Sequence, residues 1–270
     1  MGTKIMKKIL CTLGCLLSVT TVSAFENGHP YYSWAPNPAL LTGADLSLGV
    51  GVLNGGGASI FGDLKGSYAD ENYELSLNIP LAAVLSDNLN DFGMGNISVA
   101  GRYLFDDWEE HFLGFGLEAA FPTSTSGAQI GRATRHFYRY AQDQWAFVPE
   151  VFGGWNHDRL SISAGLGLPL QILQDQVQPE GDALETALSY DVGAGVALSD
   201  LKDTWVTFEV GGYRTLSYGT IGNSSEVFGS LGAQYQDDEK AFGLSVGVPF
   251  TDGARNTHHL FVMADMAYRF

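Results

Sequence analysis

The segment Leu260 to Phe270, L-F-V-M-A-D-M-A-Y-R-F, carries an apolar side chain at every second position: Leu260, Val262, Ala264, Met266, Tyr268 and Phe270. Asp265 and Arg269 occupy the opposite parity. Successive side chains of a strand point to opposite faces, so a period of two over this length specifies a strand with one apolar face. The same rule recurs upstream. Tyr73, Leu75, Leu77, Ile79 and Leu81 share one face, as do Phe242, Leu244, Val246, Val248 and Phe250.

Twelve such segments are expected, near 44–53, 59–69, 72–84, 93–105, 112–122, 144–155, 159–171, 183–198, 204–216, 224–236, 240–250 and 258–270. Most match the 9–11 residues or so that a tilted strand needs to cross a membrane. Their connections alternate in length. Asp70-Glu71, Asp106 to His111, Asn156-His157-Asp158, Ser199 to Asp203 and Asp237-Asp238-Glu239 are tight and polar. The others are mostly longer, above all Thr123 to Asp143 and Ile172 to Asp182. Short periplasmic turns with longer outer loops are the pattern of a transmembrane antiparallel up-and-down β-barrel, all-β, of about 12 strands. Residues 123–143 are then expected outside the cell and 106–111 in the periplasm. Aromatics collect toward the inferred periplasmic ends: Tyr68, Tyr73, Tyr103, Trp155, Tyr235 and Phe270. A second rhythm places Pro80, Pro122, Pro169 and Pro249 near outer strand ends. Proline cannot donate to a ladder, so it belongs where pairing ends or bends. A propeller has a similar period but packs four short strands into each repeat, and here there are two long ones.

The N-terminus reads as a secretory leader. Lys4, Lys7 and Lys8 precede an apolar stretch from Ile9 to Val22, and Val22-Ser23-Ala24 fits the small-residue cleavage rule. The expected organisation is a signal peptide over 1–24, a periplasmic N-terminal segment over 25–43, and the barrel over 44–270. Both cysteines, Cys11 and Cys15, fall in the leader, which leaves a mature chain without disulfides or thiol chemistry. Removal of the leader's three lysines takes the 14 basic residues to 11 against 30 acidic ones, a net charge of −19. Such a balance argues against nucleic acid as a partner.

The ending Tyr268-Arg269-Phe270 resembles the closing strand of bacterial outer-membrane β-barrels, in which the terminal aromatic serves recognition by the barrel-assembly machinery. By that resemblance Tyr268 and Phe270 are the assembly signal. The run from Asp91 to Tyr103, D-F-G-M-G-N-I-S-V-A-G-R-Y, is similar to the G-L-G-D-L-x-L-x-x-K-Y segment of outer-membrane transporters of the phenol-degradation MetA-pathway family. Phe121-Pro122-Thr123-Ser124 stands where that family favours Pro-Thr-Gly. Asn96 replaces the family's usual Asp, and Ser124 its Gly. The resemblance implies a barrel and the passage of small solutes, aromatic and other small organic molecules among them. It brings no catalytic residue.

Charged residues recur at inward parity. Asp63, Lys65, Arg102, Glu118, Glu150, Asp191, Glu209 and Asp265 are the expected lumen-lining set, joined by Asp45, Glu74, Glu226 and Arg269. An ion is costly against lipid at mid-membrane depth, so the lumen is its expected place. Two readings stay open: a wet, mainly acidic pathway favouring cations or neutral polar solutes, and a structural plug without conduction. Inward glycines at 49, 51, 114, 116, 165, 167, 193 and 195 favour open space, or serve strand curvature. The largest outer loop holds Arg132, Arg135, His136, Phe137, Tyr138, Arg139 and Tyr140. This cluster either folds inward as a constriction, meets lipopolysaccharide phosphates, or is a solvated loop. Outer-membrane lipid, lipopolysaccharide and a small-molecule solute are the expected partners.

Enzymatic readings find little support. Trp155-Asn156-His157-Asp158 faintly resembles the histidine segment of outer-membrane phospholipases, but their serine two residues on is Arg159 here, and the segment falls on a periplasmic turn. His258 and His259 are adjacent on a strand and so face opposite ways, which argues against a metal site using both. No nucleophile–base constellation, cofactor or metal is expected, and the chain is not read as an enzyme.

Overall fold

The computed structural model describes residues 40, 42–54, 56–86, 90–108, 110–125, 137–141, 144–173, 184–198, 203–217, 225–237 and 239–270. The leader and the rest of the segment before 40 lie outside the described residues. The strands are β1 (Gly43–Leu53), β2 (Ala58–Asp70), β3 (Tyr73–Leu85), β4 (Asn90–Met94), β5 (Ser98–Trp108), β6 (His111–Ala120) and β7 (Gln144–His157). They continue as β8 (Leu160–Gly167), β9 (Leu170–Leu173), β10 (Leu184–Ala197), β11 (Thr204–Thr215), β12 (Ser225–Gln236), β13 (Lys240–Pro249) and β14 (His258–Arg269). A short helix, α1 (Asp252–Thr257), links β13 to β14 with Thr251 as its N-cap.

Every strand pairs antiparallel with its neighbours, β14 pairs with β1, and β10 pairs with β11. The sheet therefore closes on itself as a 12-strand barrel, with β4 and β9 as extra pieces. Closure removes all free strand edges, the condition for a sheet to survive in lipid.

Two expected strands are each divided, and proline is the reason. The fourth, expected over 93–105, is β4 and β5. β3 pairs with β5 over Tyr73–Asn78 and with β4 over Leu81–Leu85, and Pro80 stands at the switch. Lacking an N–H, Pro80 only accepts, taking the Gly95 N–H at 2.8 Å. The seventh, expected over 159–171, is β8 and β9, divided around Pro169. There Leu168 N donates to Pro149 O at 2.9 Å and Ala187 N to Pro169 O at 3.1 Å, so bonding carries across the gap.

The alternation sorts side chains as the sequence requires. Leu75, Leu77, Leu231, Leu244 and Val246 are among the exposed residues, while Glu74, Ser76, Asn78, Ser230 and Ser245 on alternate positions are buried. An exposed apolar belt with polar residues turned inward is the reverse of a soluble sheet, and it places this barrel in a membrane. Aromatics rim the belt at the end that holds both β1's start and Phe270. Tyr68 lies 6.5 Å from Tyr73, Tyr103 5.7 Å from Phe105, and Tyr268 5.4 Å from Phe270. At the other end Phe121 meets Trp145 at 5.4 Å.

Val246→Arg on the outer face of β13 is a direct check of this belt. It is expected to cost about 2–4 kcal/mol in a urea titration of the folded barrel in lipid. A soluble sheet surface would change by only about 0.5 kcal/mol or less.

The inward glycines do not all leave space. A side chain at Gly49 would strike the Phe61 ring, at Gly114 the Phe152 ring, at Gly51 the His258 ring, and at Gly116 the Glu150 carboxylate. Large neighbours from adjacent strands occupy that room. Phe61, Phe228, Phe261, Met263 and Ala254 make one apolar cluster inside the barrel. Leu104, Phe112 and Phe152 make another, with Leu40 packed against it.

Candidate functional site

The break between β4 and β5 receives a piece of the long connection from β6 to β7. Phe137–Tyr140 forms a single 3₁₀ turn, and Tyr138, Arg139, Tyr140 and Ala141 are all buried. Arg139, expected in an outer loop, therefore lies inside the barrel. Of the cluster, Tyr138, Arg139 and Tyr140 turn inward. Arg132, Arg135 and His136 lie outside the described residues.

Asn96 holds the turn in place. Its backbone N–H leaves the β-ladder for the Arg139 carbonyl. Its side-chain Nδ2 donates to Tyr138 O at 2.9 Å and Ala141 O at 2.7 Å. Its Oδ1 accepts from Thr123 N at 3.1 Å and Ser124 N at 3.0 Å. Ser124 Oγ adds a bond to Ala141 O at 3.0 Å. One fully buried amide thus uses both donors and its acceptor to tie the two ends of the connection to the barrel wall. An Asp, the residue usual in the resembled family, could not make both donations. Gly95 completes the seat: a Cβ there would lie 2.5 Å from Arg139 O and 3.0 Å from Pro80.

Held this way, Arg139 enters a charged clasp. Its Nε donates to Glu118 Oε1 at 2.7 Å and its Nη2 to Oε2 at 2.8 Å, a two-point grip that fits the planar guanidinium. Its Nη1 stands 3.8 Å from Asp63 Oδ1. Tyr138 OH donates to Glu118 Oε2 at 2.9 Å. Tyr140 OH reaches Gly62 O at 3.4 Å and Asp63 Oδ2 at 3.5 Å. Glu118 is on β6 and Asp63 on β2, separated by β3 and β5, so the turn spans part of the barrel's inner wall.

The remaining inward charges fall into two groups. Lys65 bonds Glu74 at 2.8 Å and lies 3.9 Å from Asp45. Arg102 pairs in register with Glu74 and lies over the Phe152 ring at 4.2 Å. The Glu150 side chain extends across Gly116. Glu118 itself is gripped by Arg139. The side chains of Lys65 and Asp63 remain 25% and 26% exposed, so water reaches this side of the interior. Across the barrel Asp191 is 1% and Glu209 2% exposed; Asp265, buried too, shares the row of Asp63 through Ser47 of β1.

Two histidine features resolve simply. His258 is buried and within 2.7 Å of Ser59 Oγ, while His259 is exposed on the other face. His157 Nδ1 bonds Glu110 Oε1 at 2.8 Å and its ring stacks on Trp155 at 5.6 Å. These hydrogen bonds, from His157 and then Trp155 Nε1, hold the Glu110 carboxyl below its ordinary range.

The clasp was partly hidden from the sequence. Arg139 and its flanking tyrosines stood out, but nothing local marks Asn96 as their anchor. The one trace is its departure from the resembled family's Asp. Gln144 and Gln171, both buried at inward positions, carry no sequence signal beyond parity.

No protein-family model matches the chain, and no curated protein does. Solved structures do. An outer-membrane channel from Pseudomonas putida F1 superposes with a TM-score of 0.66 at 9% identity, over 89% of this chain and 99% of that one. The NanC porin gives 0.57 at 11% identity over 83% and 100%, and the KdgM porin 0.50 at 12% identity over 84% and 99%. At these identities the likeness is one of fold. Taken with the lipid-facing belt, it makes this chain an outer-membrane β-barrel of the Gram-negative type.

Proposed function

We propose that the protein is a narrow channel through which small solutes, small organic and aromatic molecules among them, diffuse across the outer membrane. The observation that carries this reading is the inward turn Phe137–Tyr140, with Arg139 clasped to Glu118 inside a closed barrel, which we read as a charged constriction. A barrel of about 12 strands lies between small filled barrels and 16–18-stranded open porins, so a limited bore is expected. The channel and porin neighbours lend support to passage of small solutes.

The charge preference follows from which groups meet water. Lys65, Arg102 and Arg139 stand beside Asp45, Asp63 and Glu150 on the wetter side. The more buried acids, Asp191, Glu209 and Asp265, add a net negative field that low-dielectric walls strengthen. A weak preference for cations results, with neutral solutes admitted.

The test is uptake by liposomes carrying the purified folded protein, using neutral solutes of graded size. Rapid uptake of the smallest and steep decline with size support the channel. Uptake no faster than in protein-free liposomes would leave a structural barrel, a role that the burial of Asp191 and Glu209 suits.

A further inference from the structure

On the lipid-facing side of the barrel, an open groove of about 750 Å³ runs along the β7–β8 turn. The turn lies at the same end as Phe270, the end expected in the periplasm. Leu160 pairs with His157 on β7 and with Val196 on β10, and Leu160 and Val196 form the groove's apolar floor. The two are 37% and 50% exposed and continue the apolar belt. His157, Asp158 and Arg159, all exposed, form its polar rim. An apolar floor within the belt and a charged rim at the water line match the two halves of a phospholipid.

The rim offers charges of both signs. An ionised carboxylate only accepts, so the hydrogen in the 2.8 Å bond between His157 and Glu110 belongs to Nδ1. In the neutral imidazole Nε2 is then a bare acceptor. It stands 3.7 Å from Asp158 Oδ2, another acceptor. The two cannot bond each other, but one ammonium group can donate to both. Asp158 has a φ of 46°, in the left-handed region where glycine is favoured, so the carboxylate is kept there at a local cost. Arg159 makes no ion pair or side-chain hydrogen bond among the described residues. Its guanidinium is left for an anion.

The geometry points to a site for one phosphatidylethanolamine of the periplasmic leaflet. Its phosphate meets Arg159, its ammonium donates to Asp158 Oδ2 and His157 Nε2, and an acyl chain lies along Leu160 and Val196. Each part of the groove excludes a rival. Phosphatidylglycerol lacks the ammonium and leaves Asp158 beside its own phosphate. Phosphatidylcholine carries the charge but has no N–H to donate. Free phosphate gains nothing from the apolar floor. The site lies outside the barrel, so it stands apart from conduction.

Native mass spectrometry of the folded barrel tests it, with equal amounts of dioleoyl phosphatidylethanolamine, phosphatidylglycerol and phosphatidylcholine added to the micelles. The wild type is expected to retain the ethanolamine lipid about two- to fivefold over each of the others, the range of exposed charge pairs. Asp158→Gly, which relieves the turn, should keep or raise the urea midpoint of the barrel and yet bring the three lipids level. Arg159→Gln should lower retention of all three. Folding of each variant is checked by the gel shift between unheated and heated samples, and Asp158→Asn replaces a glycine variant that fails to fold. Equal retention of the three lipids by the wild type, or a preference that survives in both folded variants, would overturn the site. Conductance of the same variants should equal that of the wild type. Its absence throughout would remove the channel reading and leave the lipid site standing.

Discussion

Arg139→Gln is expected to raise both single-channel conductance and cation preference. The guanidinium grips Glu118 through two hydrogen bonds, and both side chains are about nine-tenths buried. Removing one partner of a buried ion pair costs about 3–5 kcal/mol, because the other charge is left uncompensated. Here that charge is a carboxylate at the constriction. The turn loosens, and the passing ion meets Glu118 and Asp63 without their cation. Reversal potentials in a salt gradient should therefore move toward the cation value while conductance rises several-fold. Arg139→Gln with Glu118→Gln should return the selectivity close to wild type, since removing one charge of each sign restores the clasp's net charge, with Asp63 alone left without its cation. A single variant with unchanged conductance and reversal potential would show that the clasp does not border the pathway.

Asn96→Asp is expected to release the same turn by another route. The substitution is nearly isosteric, so packing barely changes. Two donations to the Tyr138 and Ala141 carbonyls disappear, worth about 1 kcal/mol each net. A carboxylate is then set against two carbonyl oxygens at hydrogen-bond range. Such a group is desolvated with no cation in contact, and the cheapest relief is to let the segment leave. Arg139, protected from trypsin in the folded wild type by its burial, should become a cleavage site. Persistent protection of Arg139 in folded Asn96→Asp protein would mean that the backbone bond from Asn96 N and the Glu118 clasp suffice.

The barrel was legible because its signal is local. Parity along β3, β13 and β14 can be read from each segment alone, and the tight polar turns separate them. The two divided strands were less so. Pro80 breaks the ladder of a strand other than its own, since the missing N–H shows up as the gap between β4 and β5. The glycines misled for a related reason. Gly49 and Gly114 read as space along their own strands, but Phe61 and Phe152 come from adjacent strands, and only the register decides which glycine lies under which ring. The clasp was the hardest part. Asn96 and Arg139 are 43 positions apart, and the bonds joining them involve backbone carbonyls, which any sequence possesses. Charge parity correctly turned Glu118 and Asp63 inward, but it could not pair them with an arginine from an outer connection.

Planar-bilayer recording of the wild type beside Arg139→Gln tests the constriction most directly. The expected wild-type behaviour is a small unitary conductance with a weak cation preference, and in the variant a larger conductance with a stronger one. A wide, porin-like conductance indifferent to Arg139, or no conductance in either protein, would contradict a narrow channel gated in width by the Phe137–Tyr140 turn.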